Sequence, residues 1–286
     1  MRYSLISVIL LGFFISCSKE DDSIPSDQIE RQGIFTTQVE NGSIEGELFL
    51  PDGNGPFPTM IIVPGSGEET KAGLTNFVSL FNSFGYGLYI YDKRGLGNST
   101  GSYPIEIPEN PLEFLSARAD DVISIVELLK THGLIDTNKI GLFGSSQGTW
   151  VNTIAYDKIG KDIGLMVMAS GGATSTGIEQ HYENLIEQSN YSIEDANEAL
   201  NEYDGPLGYD PKPTLTETDV PTLFILGGKD QSHPTLYDKA LIEGMQKSKF
   251  TIHFYENADH DLLDIDTQAY PSMLLQNLEN WLNDNK

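Results

Sequence analysis

The chain has 286 residues, 39% hydrophobic and 21% charged, the composition of a folded protein with a sizeable core. Seventeen Lys and Arg stand against 42 Asp and Glu, a net charge of −25, so phosphate backbones and anionic lipid head groups are repelled and nucleic acid is excluded as a partner. The sole cysteine, Cys17, rules out an internal disulfide.

In chain order, Arg2 is followed by an apolar run to Ser16 that is too short to span a bilayer, so residues 1–16 have the pattern of a signal peptide. The run ends in Phe14-Ile15-Ser16-Cys17, which resembles a bacterial lipobox. That resemblance implies a lipidated Cys17 as the mature N-terminus and a lipid-anchored protein of the cell envelope, in the outer membrane of a Gram-negative bacterium. Residues 17–32 are too polar to bury and are expected to form a flexible tether. Its opening Ser-Lys-Glu-Asp-Asp is similar to an export tag for the outer face of that membrane, and equally has the composition of a plain solvated linker.

From Gly33 onward, apolar segments are cut by turn residues. Residues 33–40 and 43–50 flank Asn41-Gly42, a hairpin signal. Residues 59–63, 88–91, 139–143, 165–169, 222–226 and 250–255 are short apolar runs expected of buried strands. Between them, residues 74–84, 113–130 and 147–156 are expected to be helical, as is a last helix opened by Pro271 with Leu274, Leu275, Leu278, Trp281 and Leu282 on one side. Strands alternating with helices predict an α/β fold, a mostly parallel sheet with an antiparallel N-terminal hairpin and helices on both faces. Residues 171–219 break the alternation and are expected to form a small helical cap, helical near 178–188 and 193–203, over the C-terminal ends of the strands. One domain then covers residues 33–286.

Gly144-Ser145-Ser146-Gln147-Gly148 fits G-x-S-x-G and lies between an expected strand and an expected helix, the strand–turn–helix setting the motif needs. Its glycines permit a tight turn, and the new helix directs its free N–H groups toward the Ser146 hydroxyl. At this point the chain resembles the α/β-hydrolase family, over nearly its whole length from Gly33. The order Ser, acid, His is met by Ser146, by Asp230 after the strand ending at 226, and by His260 after the strand ending at 255. The resemblance implies Ser146 as nucleophile, His260 as base and Asp230 as the acid that orients it, with Asp259, Asp261 and Asp264 as rival acids crowded into the histidine's own loop. Pro64-Gly65-Ser66-Gly67 stands where the family carries its oxyanion loop, so the backbone N–H of Ser66 (or Gly67) and that of Gln147 are the expected oxyanion donors. Pro64 replaces the family's usual His.

The segment from Asp92 to Ser99 resembles the family's D-x-R-G-x-G-x-S turn and is expected to be structural. His132, His253 and His233 are expected to be packing or surface residues, while His181 and Arg94 are left open as pocket-lining residues. No HExxH, CxxC or P-loop is present, so no metal or other cofactor is expected. The resemblance implies a serine hydrolase acting on a small acyl ester. Similarity to serine aminopeptidases and detached prolyl-oligopeptidase-type catalytic domains leaves an exopeptidase acting on short peptides as the alternative. A non-catalytic binding lipoprotein is the third reading, which the intact Ser146, Asp230 and His260 set opposes. The acidic cap is expected to disfavour anionic esters.

Overall fold

The computed structural model describes residues 30–103 and 110–286; Cys17, the apolar run before it and most of the expected tether lie outside them. Strands β1 (Gln32–Val39) and β2 (Gly42–Phe49) form the antiparallel hairpin. Val39 pairs with Gly42, so the loop is Glu40-Asn41, one residue earlier than the Asn-Gly signal suggests. Asn41 supplies the positive φ of 61°. Gly42 is required for another reason, because a Cβ there would sit 2.6 Å from the Thr100 carbonyl oxygen.

The remaining strands are β3 (Phe57–Val63), β4 (Gly87–Tyr91), β5 (Ile135–Ser145), β6 (Leu165–Ala169), β7 (Thr222–Gly227) and β8 (Phe250–Tyr255). They form one eight-stranded sheet in the order β1-β2-β4-β3-β5-β6-β7-β8, parallel from β4 onward and antiparallel at β1–β2 and β2–β4. The all-apolar central strands serve two cores because side chains alternate across the sheet. Met60, Ile62, Leu88 and Ile90 face one core, against α1 (Asn76–Ser83) and the C-terminal α8 (Leu274–Asp284). Ile61, Val63, Tyr89 and Tyr91 face the other, against α2 (Pro111–Leu129), α3 (Gln147–Ile159) and α7 (Thr235–Met245).

Residues 171–219 contain α4 (Thr176–Glu187), α5 (Ile193–Ala199) and α6 (Lys212–Glu217). The first two open on serine caps, with Ser175 accepting from the Ile178 N–H and Ser192 from the Asp195 N–H. They close their own small core of Ile178, Tyr182, Ala196 and Leu200. Two features depart from expectation. Helix α7 is not among the expected helices: of its buried residues Thr235, Asp238 and Ile242 two are polar, and Leu241 and Met245 pack against the core only in part, so its periodic signal is weak. Helix α8 starts at Leu274, and Leu275 is 41% exposed rather than on the buried side with Leu274, Leu278, Trp281 and Leu282.

Candidate active site

Ser146 is the turn between β5 and α3, at φ 51° and ψ −127°, a region that non-glycine residues rarely occupy. Its N–H donates to the Ala169 carbonyl at 2.8 Å, fixing the turn to the neighbouring strand β6. The flanking glycines are there for space. A Cβ on Gly148 would lie 2.2 Å from the Val63 carbonyl oxygen, and one on Gly144 would lie 2.6 Å from the carbonyl of Gly148.

His260 follows β8, and its Nδ1 donates to Asp230 Oδ2 at 2.8 Å. Asp230 follows β7 and is fully buried; its other oxygen accepts from the Ser232 and His233 N–H groups, both at 2.8 Å. Burial alone would push the His260 imidazolium down. The hydrogen bond and negative charge of Asp230 outweigh it and hold the group above the ordinary histidine value. Two rival acids are spent locally, Asp259 accepting from the N–H groups of Asp261 and Leu263, and Asp264 from Asn257 and Thr267, while Asp261 lines the larger of the two cavities at the serine. Ser170 Oγ donates to the His260 carbonyl at 2.6 Å and steadies the loop.

The loop Pro64–Gly67 lies against the serine, since a Cβ on Gly65 would be 3.2 Å from that of Ser146. Two buried cations hold its carbonyls. Lys93 Nζ donates to Gly65 O at 2.6 Å and to Gly67 O at 2.7 Å. Arg118 donates to Pro64 O and, through its other amino group, to Gln147 Oε1. Drawing the carbonyls to one side turns the intervening N–H groups the other way, the orientation an oxyanion loop needs. Burial, with the Arg118 charge beside it, pushes the Lys93 ammonium down to about 7. Arg94 pairs instead with Asp121 and donates to the Glu40 carbonyl, and the Asp92 carboxylate accepts from Lys71 and the Asn98 N–H. This segment serves as a structural turn and also supplies Lys93, whose grip the sequence does not reveal.

His233 is buried between two carboxylates, with Nδ1 donating to Glu179 of α4 and Nε2 to Asp238 of α7 at 2.9 Å. Both ring nitrogens donate, so the ring is an imidazolium. Burial opposes the charge, but Asp238 and Glu179 overcome it and raise the group well above the ordinary value. Tyr182 of α4 also donates to the Asp230 carbonyl at 2.7 Å, and Lys229 Nζ donates to Glu194 of α5 at 3.1 Å, so the acid loop is tied to residues 171–219 at three points. His181 stacks on Tyr203, with ring centroids 4.9 Å apart, and lines neither cavity at the serine. His132 meets the Glu30 carbonyl, and His253 sits within β8.

Two cavities meet at Ser66, Ser146 and His260. The larger, about 740 Å³, lies toward α1 and α8 and is walled mostly by Phe and Leu side chains. The smaller, about 320 Å³, lies toward α4 and carries Glu179, Gln180, Glu183 and Ser232. Burial, then the charges of Glu179 and Glu187, push Glu183 up to about 7. No Lys or Arg lines either cavity among the described residues.

A strained serine at a β–α turn, in a mostly parallel sheet with this strand order, is the arrangement of the α/β-hydrolase fold. Residues 76–285 match the prolyl oligopeptidase family, and the chain belongs to that family. It is 28% identical over 158 residues to acyl-coenzyme A amino acid N-acyltransferase 1 of Mus musculus, covering 54% of this chain and 33% of that protein. The chain thus spans about a third of that relative's length. Esterase EstD of Thermotoga maritima is 20% identical over 240 residues, covering 76% of this chain and 57% of the esterase. A Pyrococcus furiosus esterase structure superposes with a TM-score of 0.66 at 15% identity, over 93% of this chain and 95% of that one.

Proposed function

We propose that the chain hydrolyses carboxylic esters through an acyl-enzyme on Ser146. The observation that carries this reading is the His260–Asp230 pair at 2.8 Å, with the imidazole and Ser146 lining the same two cavities. Ser146 Oγ bonds to the acyl carbon while His260 takes its proton, and the bond to the alcohol oxygen breaks as that proton passes to the leaving alcohol. Water then repeats the sequence, forming the acid and returning a proton to Ser146. Asp230 holds the imidazole in the tautomer with Nδ1 protonated and stabilises its charged form. The N–H groups of Ser66 and Gln147 stabilise the oxyanion.

The name of the matched family favours a second reading, a serine exopeptidase, in which the acidic cavity receives a substrate ammonium group. A fluorophosphonate should label the protein at Ser146, and a parallel panel of aryl esters and aminoacyl arylamides should show turnover of the esters. Arylamide turnover matching that of the corresponding esters would overturn the esterase reading, and absence of the Ser146 adduct would overturn both.

The lipobox-like Phe14–Cys17 run supports a lipid anchor at Cys17 in the cell envelope. Cys17→Ser should abolish incorporation of a fatty-acid analogue and move the protein to the soluble fraction, with ester turnover retained. Equal label in the variant would sink this proposal.

A further inference from the structure

The larger cavity is of the size small-molecule sites take, and its walls say what fills it. Phe77 and Leu80 of α1, Phe143 of β5, Leu262 of the histidine loop, and Leu274 and Leu278 of α8 form a continuous apolar surface leading from Ser146. Helix α8 does not close this space. Leu275 and Tyr270 line it while remaining 41% and 53% exposed, which leaves an apolar mouth open to solvent. Apolar surface held open beside a reactive group is stabilised when an apolar ligand covers it.

We propose that this chamber holds the acyl chain of the substrate, so that the enzyme is selective for esters of medium- to long-chain aliphatic acids. This rests on the reading of Ser146 as nucleophile. The two cavities divide the ester by chemistry. Beyond its carbonyl, which the oxyanion loop takes, an aliphatic acyl chain offers no hydrogen bonds, and the Phe and Leu wall of the larger chamber asks for none, although Asn76 and Asp261 also line the cavity. A hydroxyl-bearing alcohol has donors for the carboxylates of Glu179 and Glu183 and for Ser232, which line the smaller cavity next to His260. The leaving alcohol therefore departs through the polar side while the chain stays seated on Ser146.

The test is a p-nitrophenyl ester series from acetyl to dodecanoyl, run on the full chain and on two variants. In the parent enzyme kcat/KM should climb about 3- to 4-fold per added methylene until the chamber is full. Leu80→Trp, which fills the chamber from a half-buried position, should lower decanoate turnover at least ~10-fold, about two methylenes' worth of lost burial, and leave acetate turnover and the fluorophosphonate labelling rate within about twofold. Leu275→Asp, at an exposed position the fold tolerates, should show the same split through the charge at the mouth. A flat acyl series in an enzyme that labels and cleaves acetate overturns the proposal, as does an equal loss on acetate and decanoate in folded variants. A climb with alcohol length at fixed acyl length overturns it by reversing the two cavities. Absence of labelling and acetate turnover removes the nucleophile reading itself, a separate result that takes the proposal with it.

Discussion

Replacing Ser146 by alanine should lower kcat on an ester on the order of 10⁶-fold, and adding His260→Ala to that variant should cost almost nothing more. In the proposed mechanism the imidazole acts only by taking the serine's proton, so the pair is one device in two pieces. Each piece is worthless without the other. Pre-steady-state kinetics give the check: the burst of alcohol that precedes steady turnover disappears in either single variant. If the double variant lost the product of the two single effects, His260 would be acting on something other than Ser146. The backbone strain at φ 51° is unrelieved by alanine, so the fold should be unaffected by the change.

Asp230→Asn should lower kcat by about 10⁴-fold and also move the pH profile. His260 must be neutral to act, so activity is lost as pH falls through its pKa. With Asp230 charged, that pKa stands above the ordinary histidine value of about 6.5, so the acid limb of kcat/KM should have its midpoint above about 6.5. In Asp230→Asn burial acts without the countering charge, and the midpoint should move below that value. The asparagine oxygen can still accept from the Ser232 and His233 N–H groups, which makes this change gentler on the fold than alanine. An acid limb that stays in place, with less than about a tenfold loss of kcat, would remove Asp230 from its role.

Residues that satisfy local constraints were the legible ones. Gly144 is dictated by the Gly148 carbonyl four residues on and Gly148 by the Val63 carbonyl on the neighbouring strand β3, but both flank Ser146 in sequence, so the elbow can be read from five letters. Asp230 and His260 follow strands whose apolar runs are plain, and sheet order alone brings their loops together. Lys93 and His233 were not legible, because their partners are distant in sequence. Lys93 grips carbonyls 26 and 28 residues earlier, and His233 meets a carboxylate 54 residues away on α4. Carbonyl ligands leave no mark on a sequence, since every residue has one. The apolar chamber was illegible for a similar reason: its walls come from α1, β5, the histidine loop and α8, which only the fold brings together.

The absence of Lys and Arg among the described residues of both cavity walls bears on the end of the proposed reaction cycle as well as its start. Ester hydrolysis makes an anion from a neutral molecule. In the proposed reaction that anion forms between Asp261 on one wall and Glu179 on the other, joined by Glu183 above about pH 7, inside a protein of net charge −25. The acid head is thus repelled from the moment it ionises, and the same field that slows the arrival of charged molecules drives this one out. The hydrolysed acid should therefore inhibit its own enzyme only weakly, and inhibit more strongly as added salt screens the walls. Inhibition by the acid that weakened with salt would mean that a cation holds its head. On that reading the site is a one-way valve for its own product, built from the acids on its two walls.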